Sequence, residues 1–159
     1  MIRIEEAVEV DAAAGTAYAF VSRVEDYPAW LPGVVRAEPT ADGGIRLALA
    51  GPGGIAVEAL GRITASDPPR SISIEAASGL FRITATCTVA PLGETGSRIG
   101  VRAEVEPRGL ATLAAGRIEQ ELRAAVPDTL RRLREAVEVV GAAEGPEALE
   151  VPEAPTPPA

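Results

Sequence analysis

A chain of 159 residues, 47% of them apolar, fits one domain of ordinary globular composition. Its formal net charge of −8, with every cation an arginine, works against nucleic acid and anionic lipid surfaces as partners. A single cysteine, Cys87, leaves no intrachain disulfide or multi-cysteine metal site, and the absence of histidine removes the commonest general base and metal ligand, so no metal or cofactor is expected.

The first ten residues, MIRIEEAVEV, carry charge where a signal peptide needs an apolar run, and no segment approaches the roughly 18 apolar residues of a membrane span. The expectation is a soluble cytoplasmic protein without membrane insertion. Ile2, Ile4, Val8 and Val10 alternate with charged residues, the period of a half-buried strand. Asp11 is then the candidate cap of a helix from about Ala13 to Arg23, with Ala17, Phe20, Val21 and Val24 at helical spacing.

Four of the five aromatics, Tyr18, Phe20, Tyr27 and Trp30, fall within thirteen positions, and Pro28 and Pro32 interrupt regular structure beside the only tryptophan. That stretch reads as a short helical turn or loop, a corner before the second strand. From Val34 to Glu106, strands alternate with turn signals such as EPTADGG, GPGG, SDPPR and LGETGS. Ile45, Leu47, Leu49, Ile55, Val57, Ala59, Gly61, Ile63, Ile74, Phe81, Ile83, Ala85, Cys87 and Ala103 fall on a dry face, whereas Glu58, Arg62, Arg82, Arg102 and Glu104 fall on a wet one. An antiparallel sheet with one solvated face has this pattern.

Leu110, Leu113, Ile118, Leu122, Val126, Leu130, Leu133, Val137 and Val140 follow one helical stripe, long enough at about 45 Å to lie across the sheet. Pro127 within it predicts a kink or a local break. The domain is expected to occupy residues 1–140. Residues 141–159, acidic and proline-rich, are expected to be a disordered tail.

Three segments carry a resemblance: VEVDAAAGTAYAFVSRVEDYPAWLPGV, ITASDPPRSISIEA and GLATLAAGRIEQELRAAVPDTLRRLREAVE. They resemble the START-like, Bet v 1-like (SRPBCC) superfamily, specifically its polyketide cyclase/dehydrase and coenzyme Q-binding group, over about residues 2–140. The resemblance implies an α+β helix-grip fold: an antiparallel sheet of about seven strands wrapped around a long C-terminal helix, with two short helices between strands 1 and 2. It also implies a cavity between sheet and helix, open near Trp30. The small dry-face residues Ala59, Gly61, Ala76, Ala85 and Ala103 leave room for it.

The leading expectation is a carrier or sensor for an apolar small molecule such as a lipid, quinone or polyketide-like compound. The ligand would touch Trp30, Phe20, Leu47, Val57, Ala59, Ile74, Phe81, Ile83, Ala85, Leu113, Ile118 and Leu122. A cyclase/dehydrase-type enzyme is the alternative, with Arg117, Tyr18 or Glu6 as its candidate catalytic groups. Tyr27 is expected as a partly exposed anchor, and Cys87 as an inert apolar residue. Two or more polar groups converging in the cavity would favour the enzyme. A cavity under about 300 Å³, the lower end for ligand pockets, would remove both readings and leave a third role, an accessory protein docking a partner enzyme.

Overall fold

The computed structural model describes residues 1–31, 33–50 and 55–143; the break expected at Pro32, the GPGG turn and the tail beyond residue 143 lie outside them. Seven strands form one antiparallel sheet: β1 (Ile2–Val10), β2 (Val34–Pro39), β3 (Gly44–Ala50), β4 (Ala56–Asp67), β5 (Ser71–Ala77), β6 (Phe81–Leu92) and β7 (Gly96–Pro107). Their order is β1-β7-β6-β5-β4-β3-β2, so β2 to β7 form a meander and β1 returns to pair with β7. Between β1 and β2 lie α1 (Ala14–Val21), a 3₁₀ turn (Val24–Asp26) and the single-turn α2 (Tyr27–Trp30). A 3₁₀ segment (Gly109–Ala114) then leads into the long α3 (Ala115–Ala143). This is the helix-grip arrangement.

Register places side chains on the two faces as the alternation requires. One inner row runs Ile4–Ala103–Ala85–Ile74 across β1, β7, β6 and β5, and the next runs Glu6–Val101–Cys87–Ile72. The outer face carries cross-strand ion pairs, among them Arg102–Glu5 at 2.6 Å, Arg3–Glu104 at 2.9 Å and Arg82–Glu75 at 2.9 Å. Exposed pairs of this kind stabilise little, about 0–1 kcal/mol each. Their structural effect is to keep that face in water, so the apolar face turns inward.

The inner face is covered by α1, α2 and α3. Ala17, Phe20 and Val21 of α1 are buried at spacings of three and four, as are Leu133 and Val137 of α3, and Trp30 lies among them. Each such large apolar side chain contributes roughly 1.5–3 kcal/mol when fully buried. Ser97, fully buried, donates from its hydroxyl to the Ala12 carbonyl at 2.8 Å, which ties β7 to the entry of α1. The backbone of α3 runs close to β1, α1 and α2.

Several local expectations need correction. Asp11 does not cap α1: Ala13 occupies the cap position without a side-chain hydrogen bond, because Asp11 stands two residues too early. The backbone N–H of Asp11 instead donates to Glu138 Oε2 on α3 at 2.8 Å. Pro28 does not break structure; it sits in the first turn of α2, where its missing N–H has no partner to lose. Of the kink or local break expected at Pro127, the break does not form: α3 is continuous, with Pro127 and Arg123 both exposed so that water can serve the carbonyl that the proline leaves free.

The largest departure concerns Leu110 and Leu113, which the helical stripe placed against the sheet. They are 78% and 87% exposed. Gly109, at φ +56°, re-aims the chain after β7 into a 3₁₀ segment, where residues three apart stack along one edge, and here that edge faces water. Ile55 precedes β4 and is exposed, and Ile63 is partly exposed where the β4–β5 register shifts between Ile63 and Ala65.

Candidate functional site

A cavity of ≈ 170 Å³ lies between the inner face of the sheet and α3. Its floor is the inner row of β1, β7, β6 and β5, where the adjacent Ala103 and Ala85 project one carbon each, flanked by Ile4, Ile74, Ile83 and Val101. Its roof is the α3 stripe Leu122, Val126 and Leu130, with Thr129 beside it. Tyr27, Trp30 and Leu31 close it from the corner, and Leu47, Leu49 and Val34 bound it on the β2–β3 side. The wall is almost wholly apolar.

Small residues at paired positions create this space. Interiors usually pack without voids larger than a water molecule. Ala85 and Ala103 face each other across β6–β7, so at these two adjacent positions the floor carries a single methyl group each. Gly61, expected to help open the cavity, acts differently: a Cβ there would lie 2.5 Å from the Glu75 carbonyl oxygen. It permits close packing of β4 against β5, and it does not line the cavity.

Of the residues expected to meet a ligand, Trp30, Leu47, Ile74, Ile83, Ala85 and Leu122 are on the wall. Phe20 and Ala59 are buried in the surrounding core, Phe81 packs against that core, and Val57 and Ile118 are half-buried away from the wall. Leu113 is off the wall and in solvent, for the reason given above. Ile4, Val21, Val101, Ala103, Val105, Val126 and Leu130 were not selected from the sequence as contacts, although inward strand parity or the helical stripe marked most of them.

The three candidate catalytic groups do not converge. Arg117 is a surface arginine, its side chain 82% exposed and paired with Glu121 at 3.2 Å. Tyr18 places its hydroxyl 3.1 Å from Ser66 Oγ, outside the wall. Glu6 alone reaches the cavity, in the inner row of the edge strand β1, and it is the one exposed residue on the wall.

The corner is also deeper than expected. Trp30 is 2% exposed and so plugs the interior while it forms wall. Tyr27, expected as a partly exposed anchor, is equally buried; its ring meets that of Trp30 edge-to-face, with centroids 6.1 Å apart. Burial, with a smaller contribution from Cys87, pushes the Tyr27 hydroxyl up to about 12 from 10.0. Burial likewise pushes the Cys87 thiol up to about 12, which keeps it protonated and unreactive at neutral pH. Thr129 spends its hydroxyl on the Ala125 carbonyl at 2.9 Å.

Proton-transfer chemistry needs an acid and a base positioned on one substrate. Among the described residues this wall carries one carboxylate at its solvent edge and two acids held neutral by burial. Among the described residues no group of three His, Cys, Asp or Glu is placed to hold a metal ion, and no helix is long and apolar enough to cross a membrane. The volume falls short of the roughly 300 Å³ at which ligand pockets usually begin. It exceeds the 150 Å³ of an engineered cavity that takes up benzene, room enough for a compact apolar guest.

Known structures share this architecture. The Zhui aromatase/cyclase from a Streptomyces species is 17% identical, with a TM-score of 0.68 over 92% of this chain and 96% of its own. A START superfamily protein from Mycobacterium smegmatis is 20% identical, with a TM-score of 0.65 over 88% of this chain and 97% of its own. The di-domain ARO/CYC BexL is 21% identical, with a TM-score of 0.69 over 92% of this chain and 48% of its own. At such identities the likeness speaks for the fold. No protein with a curated description matches the sequence. The family model described as polyketide cyclase / dehydrase and lipid transport matches residues 1–138, and the chain belongs to that family.

Proposed function

We propose that this domain, whose closing helix runs to Ala143, is a cytoplasmic carrier or sensor that binds a compact apolar molecule between the sheet and α3. One observation carries the reading: an almost wholly apolar cavity whose floor is kept low by the facing Ala85 and Ala103. A packed core would fill that space, and a cyclase would line it with acids and bases. Removing a one- or two-ring apolar compound from water is favourable at about 25 cal/mol per Å² buried.

Native mass spectrometry of the full chain purified from its own host tests this. A co-purifying apolar compound at near-stoichiometric level is expected; a chain that emerges empty, and takes up none of a panel of one- and two-ring compounds, contradicts it.

A second reading has its own support. Under the 300 Å³ expectation the small volume favours an accessory role, and Leu110 and Leu113 offer exposed apolar side chains for docking a partner enzyme. Substituting both with serine separates the readings, since it would weaken association with a partner and leave the cavity intact.

A further inference from the structure

Between Val105, the last wall residue of β7, and Leu122, the first of α3, the chain crosses from the floor of the cavity to its roof. That crossing does not close the cavity: no residue from 106 to 121 stands on the wall. The 3₁₀ segment Gly109–Ala114 occupies its middle and buries no side chain. Val105, its strand partner Ile83 and Leu122 are only half-buried, whereas Val21, Tyr27, Trp30, Ile72 and Cys87 elsewhere on the wall are buried. The cavity is therefore least covered at the end where the crossing stands.

The crossing is lightly held. The Arg108 N–H donates to the Leu80 carbonyl at 2.7 Å and pins the end of β7. Past that point the bonds are local: the Ala111 N–H donates to the Arg108 carbonyl at 3.1 Å, and the Thr112 hydroxyl to the Gly109 carbonyl at 2.7 Å. Gly109, at φ +56°, and Gly116, with open space where a side chain would stand, bracket the segment. Elements with few buried contacts open and re-form at low cost. Leu110 and Leu113, on one edge of the 3₁₀ turn, keep most of their apolar surface in water, where any cover would be favourable.

We propose that residues 109–116 form a lid. With a guest in the cavity, the segment turns about Gly109 and Gly116 and lays Leu110 and Leu113 over the gap between Val105, Ile83 and Leu122. The inference rests on the cavity-binding reading and adds to it the route of entry and the means of retention. In the closed state both leucines leave water and cover the open side of the guest, so the guest favours closure and closure holds the guest. A lid of this kind acts mainly by slowing escape.

Toluene is the probe, and the double variant Leu110→Ser, Leu113→Ser is the lid without its apolar edge. Both side chains stand in solvent, so the variant without toluene is expected to keep the urea midpoint of the unsubstituted chain. Neither residue is on the wall, so the cavity itself is unaltered. Calorimetry on the full chain is expected to show toluene bound about tenfold more weakly by the variant, the factor that partial burial of two leucines supplies. Amide hydrogen exchange across residues 110–116 is expected to slow when toluene is added to the unsubstituted chain, and to stay fast in the variant at equal saturation.

Equal toluene affinity in the two chains overturns the lid and leaves the cavity reading standing. So does exchange across residues 110–116 that toluene leaves unchanged in the unsubstituted chain. Failure of the unsubstituted chain to bind toluene overturns the cavity reading and the lid together.

Discussion

Replacing Ala103 with leucine measures the cavity from within. Ala103 pairs with Ile4 on one side and Ala85 on the other, all three on the floor, and α3 presents Leu122, Val126 and Leu130 above. Leucine adds three carbons. At about 0.8 kcal/mol per buried CH₂ their transfer from water is worth up to about 2.4 kcal/mol, and fixing the side chain costs roughly 0.5–1 kcal/mol. A net gain of about 1–2 kcal/mol is therefore expected if the space is empty. If sheet and helix were already in contact, the same carbons would cost about 1–3 kcal/mol by overpacking, so the sign of the effect reports the cavity. Urea denaturation followed by circular dichroism is the assay, with a raised midpoint and an unchanged slope as the expected result. A lowered midpoint in a variant with a native spectrum would refute the reasoning, because it would mean that the floor was never free.

Trp30→Ala should cost about 3–5 kcal/mol as a large buried side chain, against within about 0.5 kcal/mol for Leu113→Ser at its solvent-facing site. Comparable losses in urea melts would mean that the 3₁₀ segment packs after all. Tyr27 and Cys87 both titrate at about 12 in the fold, against ordinary values of 10.0 and 9.0. Their stabilising contribution is therefore whole below pH 9 and is lost as pH rises towards 12, because the unfolded chain releases protons that the folded one keeps. Urea midpoints between pH 8 and 11 should fall, and fall less steeply in the Tyr27→Phe, Cys87→Ala double variant; identical slopes would place neither group in the interior. Iodoacetamide at pH 8 should label Cys87 only after urea is added, and rapid labelling of the folded protein would contradict its burial.

Strand parity carried most of the fold into view. It placed Cys87, Ala85 and Ala103 inward and Arg82, Arg102 and Glu104 outward, because a two-residue period leaves each side chain only two options. The helical stripe was less decisive at its start. Leu110 and Leu113 stand three apart, a spacing that an α-helix and a 3₁₀ segment share, and the positive φ of Gly109 decides which one forms. The burial of Tyr27 was hidden for a different reason: α2 is one turn long, too short for a periodicity, and its inward face is set by packing of α2 against α3, which no local pattern encodes. Of the catalytic candidates only Glu6 could be placed by parity. Arg117 lies beside the α3 stripe, and the length of its side chain let it lead either to the cavity or to water. The cavity wall was partly legible for the same reasons, since Val101, Val126 and Leu130 carried the right period while Leu31 and Thr129 carried none.

Crystals of the protein pressurised with xenon would locate the empty space directly, since xenon enters apolar cavities of this size. A xenon peak bounded by Ala85, Ala103 and Val126, lost in Ala103→Leu crystals, is the expected result. Crystals of the unsubstituted protein with no peak between the sheet and α3 would contradict the claim that the domain keeps an apolar cavity there for a guest.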